Sequence, residues 1–347
     1  MGTFKIFSSS SFMIPSVSAI YLSDLGEARG RQELYTRQSP QKLKVLKEHA
    51  LIESAVSSNR IEGVTIERSR VATVVFGKSV LKDRDEEEVR GYKNALKLIH
   101  EKGAGLPVSE ETIKHLHSMS RSGSGDAGLY KQSDSGIIQK YSDGRERIRF
   151  KTVSAVKTPE AMKELVSLWN DNLSRELVPD LIRLAAWNFD FLCIHPFRDG
   201  NGRVSRLLLL LQLYHLGYEV GRYISLERII EETKDRYYET LEISSDGWHK
   251  DKHDPWPYIN YILYTIKTAC NEFEARVSSI SSPRGSKSIM VDDAIKSFTG
   301  EFSISEIIDK CPGVSIDMVR KIFKEKQKTG EIVCKGKGRD AKWYKKY

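Results

Sequence analysis

The chain has 347 residues, 39% of them hydrophobic, with 55 Lys and Arg against 47 Asp and Glu and a formal charge of +8. Such a length suits two domains or three small ones. The densest apolar stretch, Leu207–Leu216, is interrupted by Gln212, Tyr214 and His215 and falls well short of the ~20 residues of a membrane-spanning helix, so no membrane partner is expected.

The first twenty residues are serine-rich with scattered apolar positions, which excludes the continuous apolar core of a signal peptide. Ile6 stands where a myristoylation pattern has Ser or Thr. A helix is expected over Ser39–Ser58, with Ser39-Pro40 as cap and first position and Leu43, Leu46, Ala50 and Val56 on its apolar spacing. Helices follow at about Asp83–Glu101 and after the start signal Val108–Thr112. GSGDAG reads as loop. Residues 136–151 then read as a hairpin around Asp143-Gly144, with a basic outgoing strand. Helical spacing resumes at Thr158-Pro159-Glu160 and continues through Leu181–Ile194, Val204–Leu216, Ser225–Ile243 and Pro257–Val277.

Residues 278–288, SSISSPRGSKS, have the composition of a linker. Beyond them, Ile289–Phe298, Ser305–Cys311 and Ser315–Thr329 read as three helices, the last with Ile316, Val319, Ile322 and Phe323 on one face. Two strands around a basic GKGR turn follow. The expected organisation is a mainly α chain: an N-terminal helical region over 1–105, a core domain over 106–277, the linker, and a small α+β domain over 289–347. Arg284–Tyr347 holds 15 basic against 9 acidic residues and the remainder 40 against 38, so the excess charge is concentrated in that last domain.

Three features mimic sites. ATVVFGKS at 72–79 follows a relaxed phosphate-loop pattern, but Thr73, Val74, Val75 and Phe76 are stiff or bulky and suit a packed segment. His249 and His253 in WHKDKHD lack a fixed partner set for a metal and read as a solvated charge run. The four cysteines, Cys193, Cys270, Cys311 and Cys334, are scattered without a CxxC pair. They are expected to be reduced thiols of a cytoplasmic protein, with Cys193 in the core.

The chemistry concentrates in HPFRDGNGRVSR, residues 195–206, set between two apolar runs. A helix opening at this glycine turn leaves backbone N–H groups unpaired under a positive macrodipole, which makes a cradle for anions. Gly200 and Gly202 allow a sharp turn and close approach. Arg203 and Arg206 lie three residues apart on one helix face and can reach one polyphosphate. Asp199 can hold Mg²⁺ shared with phosphate oxygens. His195 is suited to take a hydroxyl proton. Phe197 is expected to anchor the loop to the core.

This stretch resembles the signature of the Fic (filamentation induced by cAMP) family, HxFx(D/E)GNGRxxR, at every defined position, and the resemblance extends over roughly residues 40–275. It implies an all-α Fic fold and transfer of AMP from ATP to a Ser, Thr or Tyr hydroxyl of a target protein, with pyrophosphate released. By that resemblance His195 deprotonates the hydroxyl and Asp199 binds Mg²⁺. Gly200, Asn201 (side chain included) and Gly202 hold the α-phosphate, and Arg203 and Arg206 hold the outer phosphates. The hairpin near 136–151 resembles the family's flap, on which the target segment docks as an added strand, and Tyr237 and Tyr238 resemble its tyrosine pair beside the adenine. SNRIEG at 58–63 is similar to the family's inhibitory motif, [S/T]xxxE(G/N), in its N-terminal position. Ser58, Glu62 and Gly63 match, and Glu62 is expected to compete with phosphate for Arg206. The C-terminal segment resembles a winged-helix domain, for which DNA and protein are both open as partners. A DNA-binding regulator that only senses nucleotide, another donor, removal of AMP, and a homodimer also stay open.

Overall fold

A computed structural model describes residues 2–8, 12–36, 40–77, 80–121, 124–140, 145–171, 178–279, 286–298, 301–311, 314–336 and 341–345. Among them, a core running from Phe4 to Phe273 organises most of the chain, and a separate cluster from Val291 to Trp343 organises the C-terminal elements.

The first helices are α1 (Thr3–Phe7), α2 (Ser16–Thr36) and α3 (Pro40–Ile61). Neither α1 nor α2 was legible in the serine-rich N-terminus. Their stability comes from docking: Leu25 and Ala28 of α2 and Phe4 and Phe7 of α1 are buried in the large core. The α3 helix runs to Ile61, three residues beyond the expected end. It stops at Gly63, whose φ of +84° suits a residue without Cβ. The false phosphate loop is α4 (Val71–Phe76), with Val74 and Val75 buried, as its bulky residues require; Lys78 and Ser79 lie outside the described residues. Next come α5 (Arg84–Lys102) and α6 (Glu110–Ser120). Asp83 and Ser109 cap them by accepting from the backbone N–H of Glu86 and Thr112.

The hairpin consists of β1 (Gly136–Lys140) and β2 (Glu146–Lys151), antiparallel, with a register shift between Ile137 and Ile138. Its expected turn at Asp143-Gly144 lies outside the described residues. Then follow α7 (Thr158–Asn170), α8 (Asp180–Ile194) and α9 (Asn201–His215). Every α8 residue from Leu181 is buried, and so is α9 from Arg203 to Tyr214. These two central helices meet at the motif loop. The single helix expected over Ser225–Ile243 is two, α10 (Leu226–Glu232) and α11 (Lys234–Ser245). They part at Thr233, whose hydroxyl bonds back to the Ile229 carbonyl and to the Tyr261 hydroxyl, each at 2.8 Å. The long α12 (Trp256–Ser279) packs against α2, α8 and α11.

Residues 280–285 of the expected linker lie outside the described residues. The C-terminal elements are α13 (Ser286–Ser297), α14 (Ile304–Lys310), α15 (Ile316–Lys328), β3 (Ile332–Lys335) and β4 (Lys342–Lys345). Phe302 adds an antiparallel bridge to Trp343, so the small sheet gains a third short edge. This is the expected order of three helices and a hairpin, with residues 337–340 of the basic turn outside the described set. Ile316, expected on the buried face of α15, is 43% exposed; Val319, Ile322 and Phe323 are buried, with Met318 packed beside them. Among the described residues, no helix is long and apolar enough to cross a membrane.

Candidate active site

The motif loop is built by its own backbone. His195 ends α8 with φ +53°, a left-handed conformation that costs a non-glycine residue ~1–2 kcal/mol and is kept where surrounding contacts impose it. Its backbone N–H donates to the Phe191 carbonyl, and Nδ1 lies 3.2 Å from the Leu192 carbonyl oxygen. A carbonyl can only accept, so Nδ1 carries the proton and Nε2 keeps its lone pair. Burial pushes the imidazole down to about 4, leaving it neutral at physiological pH with the Nε2 lone pair free to accept a proton.

Phe197 is fully buried and stacks on His117 at 3.8 Å. His117 Nδ1 accepts from the Gly128 N–H, and its Nε2 donates to the Asp199 carbonyl. The Asn201 side chain accepts from the Phe197 N–H at 2.9 Å and donates to the Phe197 carbonyl at 2.8 Å. Both polar atoms of the side chain thus clamp the loop, while the second N–H of Nδ2 and the backbone N–H are not used in these two bonds. Gly200 caps α9 with φ +81°. The first N–H groups of α9 have no intrahelical acceptor, the arrangement that an anion cradle requires.

Both arginines of the cradle are buried, and both meet the end of α3. Arg206 donates from Nε to Ser58 Oγ and from Nη2 to the Ser58 carbonyl, each at 2.9 Å, and from Nη2 to Glu62 Oε1 at 2.8 Å. Burial is the largest single influence and opposes its charge, but Glu62 together with Tyr237 and Tyr92 holds its pKa above the ordinary value. Arg206 Nη1 is buried with no hydrogen-bond partner among the described residues, a donor left over for an anion. Arg203 donates from Nη1 to Glu88 Oε2 at 2.5 Å and to Asn59 Oδ1 at 3.2 Å. The Glu62 carboxylate lies directly over the turn: a Cβ built on Gly202 would fall 2.2 Å from its Oε1.

Asp199 is 58% exposed; its Oδ1 accepts from the Gly200 N–H, and Oδ2 lies 3.0 Å from Arg121 Nη1. Among the described residues no group of three or more His, Cys, Asp or Glu gathers around a metal position. His253 instead meets Thr3 Oγ1 at 3.0 Å, and Cys193 is buried with its thiol pushed up by that burial.

The tyrosine pair divides. Tyr237 is 3% exposed and packs against Tyr258 and Tyr261, so it lines the core rather than an open adenine surface. Tyr238 is half-buried, 5.2 Å from Tyr237 between ring centroids, with its hydroxyl 3.4 Å from the Ile61 carbonyl. The hairpin reaches the same corner, since Arg149 donates to the Tyr238 carbonyl at 3.0 Å. Ile138 and Ile148 stand 50% and 67% exposed on it.

Sequence reasoning missed Asn59, Glu88, His117, Arg121 and Lys131. Glu88 carried a readable signal: it lies four residues before Tyr92 on the buried stripe that continues through Ala95, Leu96 and Ile99. Lys131 ties the foot of the hairpin to the loop by donating to Thr152 Oγ1 and the Ile194 carbonyl, and burial lowers it to about 8. For His117 and Arg121 nothing in the local pattern marks the contact.

Residues 107–213 match the model of the Fic/DOC family. The chain is similar to the protein adenylyltransferase fic-1 of Caenorhabditis elegans, 28% identical over 189 residues, which is 54% of this chain and 33% of that protein. It is also similar to the protein adenylyltransferase Fic of Nematostella vectensis, 26% identical over 220 residues, covering 59% of this chain and 44% of that one. The chain thus spans a third to under a half of these relatives. Its fold matches the crystal structure of a Fic family protein from Desulfovibrio desulfuricans G20 with a TM-score of 0.63 at 20% identity, covering 97% of this chain and 98% of that one.

Proposed function

We propose that this chain, which carries a Fic domain at residues 107–213, is a protein adenylyltransferase held in check by its own Glu62. The observation that carries the reading is the position of the Glu62 carboxylate, 2.8 Å from Arg206 and against Gly202, where the glycine turn presents its unpaired N–H groups to an anion. A carboxylate already seated on the anion site is a direct competitor of phosphate, and a paired guanidinium must release it before gripping another oxyanion.

With that carboxylate withdrawn, the amino end of α9 would take the α-phosphate of ATP, and Arg206, with its spare Nη1, an outer phosphate. Arg203 is expected to contribute only if it shares its guanidinium with Glu88. His195 Nε2 would accept the proton of a target hydroxyl as that oxygen bonds to the α-phosphorus and pyrophosphate leaves. An exposed Asp199 beside the turn suits Mg²⁺, which commonly takes one carboxylate oxygen and fills its other positions with water and phosphate. When bound it would offset phosphate charge. Tyr238, rather than Tyr237, is the ring available to a base. A target segment would dock along the 136–151 hairpin.

Intact-mass analysis of Glu62→Gly after incubation with Mg²⁺ and each nucleoside triphosphate tests the reading. A mass gain of one adenylate, absent in His195→Ala, is expected. A gain of another size would name a different donor, and no gain on the chain or any added protein would leave nucleotide sensing as the function.

For the C-terminal elements, a second observation favours a nucleic-acid partner over an acidic protein. Arg320, Lys321, Lys324 and Lys328 are exposed along one face of α15. Arg320 also lies 3.6 Å from Asp317, and Lys326, Lys335 and Lys342, off this face, are each matched with an acid. The stripe is about 12 Å long at 1.5 Å per residue and suits a line of phosphates.

A further inference from the structure

We propose that Arg121 is a positioning residue that competes with a divalent cation for the Asp199 carboxylate, and so sets how much cation the site requires. The inference rests on the adenylyl-transfer reading for the cation's presence, and on this chain's own contacts for the competition.

Asp199 is the acidic residue of the motif loop, and its carboxylate is not idle. Oδ2 lies 3.0 Å from Arg121 Nη1, and Arg203 Nη2 approaches Oδ1 at 4.0 Å. Arg121 stands outside the signature, at the end of α6, and is held from two sides. Its Nη1 also donates to Glu88 Oε1 at 2.5 Å, deep in the protein where Glu88 is 3% exposed. Its methylenes lie against Gly200, since a Cβ there would fall 3.2 Å from Arg121 Cγ and Cδ. At 5% exposure the guanidinium has almost no freedom to lose by holding Asp199, unlike two long side chains meeting in water.

A cation arriving at Asp199 therefore meets a fixed positive charge within a few ångströms. Mg²⁺ binds carboxylate oxygen at about 2.0–2.1 Å and gives up water reluctantly. It must take Oδ2 from the guanidinium and sit beside it, and two positive charges so close repel in a partly dehydrated site. Glu88 prevents the simple escape of Arg121 swinging away. Its other oxygen holds Arg203, so this one buried carboxylate positions a guanidinium on the cation side and another on the phosphate side of the loop.

The test uses the full chain and Mn²⁺, with free Mn²⁺ counted by its electron paramagnetic resonance signal, alone and with a non-hydrolysable ATP analogue. Arg121→Gln is expected to lower the Mn²⁺ dissociation constant about tenfold, and adding Asp199→Asn should erase that gain. Arg121→Lys keeps a cation opposite Glu88, protects the fold, and draws the charge back from Asp199; it should tighten Mn²⁺ several-fold. Unchanged or weaker Mn²⁺ binding in a variant that melts like the parent overturns the proposal. If the analogue fails to bind even the Glu62→Gly chain, whose cradle is vacant, yet Mn²⁺ alone tightens as expected, the adenylyl-transfer reading falls and the competition stands.

Discussion

The Glu62 carboxylate occupies the space that a side chain on Gly202 would need, with Oε1 2.2 Å from the position of a built Cβ. The same oxygen holds Arg206. Inhibitor and cradle thus share one small volume, which separates two ways of disturbing it. Glu62→Gly vacates the cradle and leaves the turn intact, so nucleotide affinity and self-modification should rise at least tenfold, the loss of one charge-assisted pair. Gly202→Ala also evicts Glu62, but fills the cradle with its methyl, so no activation should appear. Calorimetric titration with ATP distinguishes the two, and activation by Gly202→Ala would refute a shared volume.

Burial, with a lesser opposing contribution from the Leu192 carbonyl, holds His195 near 4 in the folded chain, below the usual 6.5. The neutral form is the base, so activity of Glu62→Gly should persist as pH falls through 6.5. It should be lost only towards 4, if the fold survives. An acid limb centred at 6.5 in the rate profile would show that the imidazole is hydrated in the working enzyme.

Asn201 contributes two buried bonds to the Phe197 backbone. Asn201→Ala strands one N–H and one carbonyl and should cost ~2 kcal/mol or more of stability. Turnover should fall further than nucleotide affinity, because His195 and the cradle lose their mutual geometry. Thermal melting and separate measurement of kcat and KM check both parts.

Charge reversal at Lys321, Lys324 and Lys328 should weaken duplex DNA binding by the full chain. It should also lower the magnitude of the slope of log K against log salt by roughly 0.9 for each lost phosphate contact. Reversal of Lys44, Lys102 and Lys163, on other helices, serves as the control. Equal losses in both sets would mean that net charge alone governs binding.

Much of the protein was legible in its sequence, for identifiable reasons. Leu181–Ile194 and the run after Val204 are dominated by apolar residues with few polar interruptions, which suits a buried helix, and HPFRDGNGR between them reads as a polar loop joining two core segments. Asp83 and Ser109 announced α5 and α6 because capping is local. The elements α1 and α2 were hidden because their stability comes from distant partners, such as Asp190, whose carboxylate receives Thr3 from 187 residues away. Residue type and spacing, being local, determined that an imidazole, a carboxylate, two glycines and two guanidinium groups would gather at one turn. Only the tertiary structure decided how they are engaged. Asn201 faces its own loop, Tyr237 is sealed in the core, and Glu88 and Arg121 arrive from other helices to hold Arg203 and Asp199. A contact between residues more than a hundred positions apart leaves no periodicity in either segment, and a buried charge takes whichever partner the packed helices bring within reach.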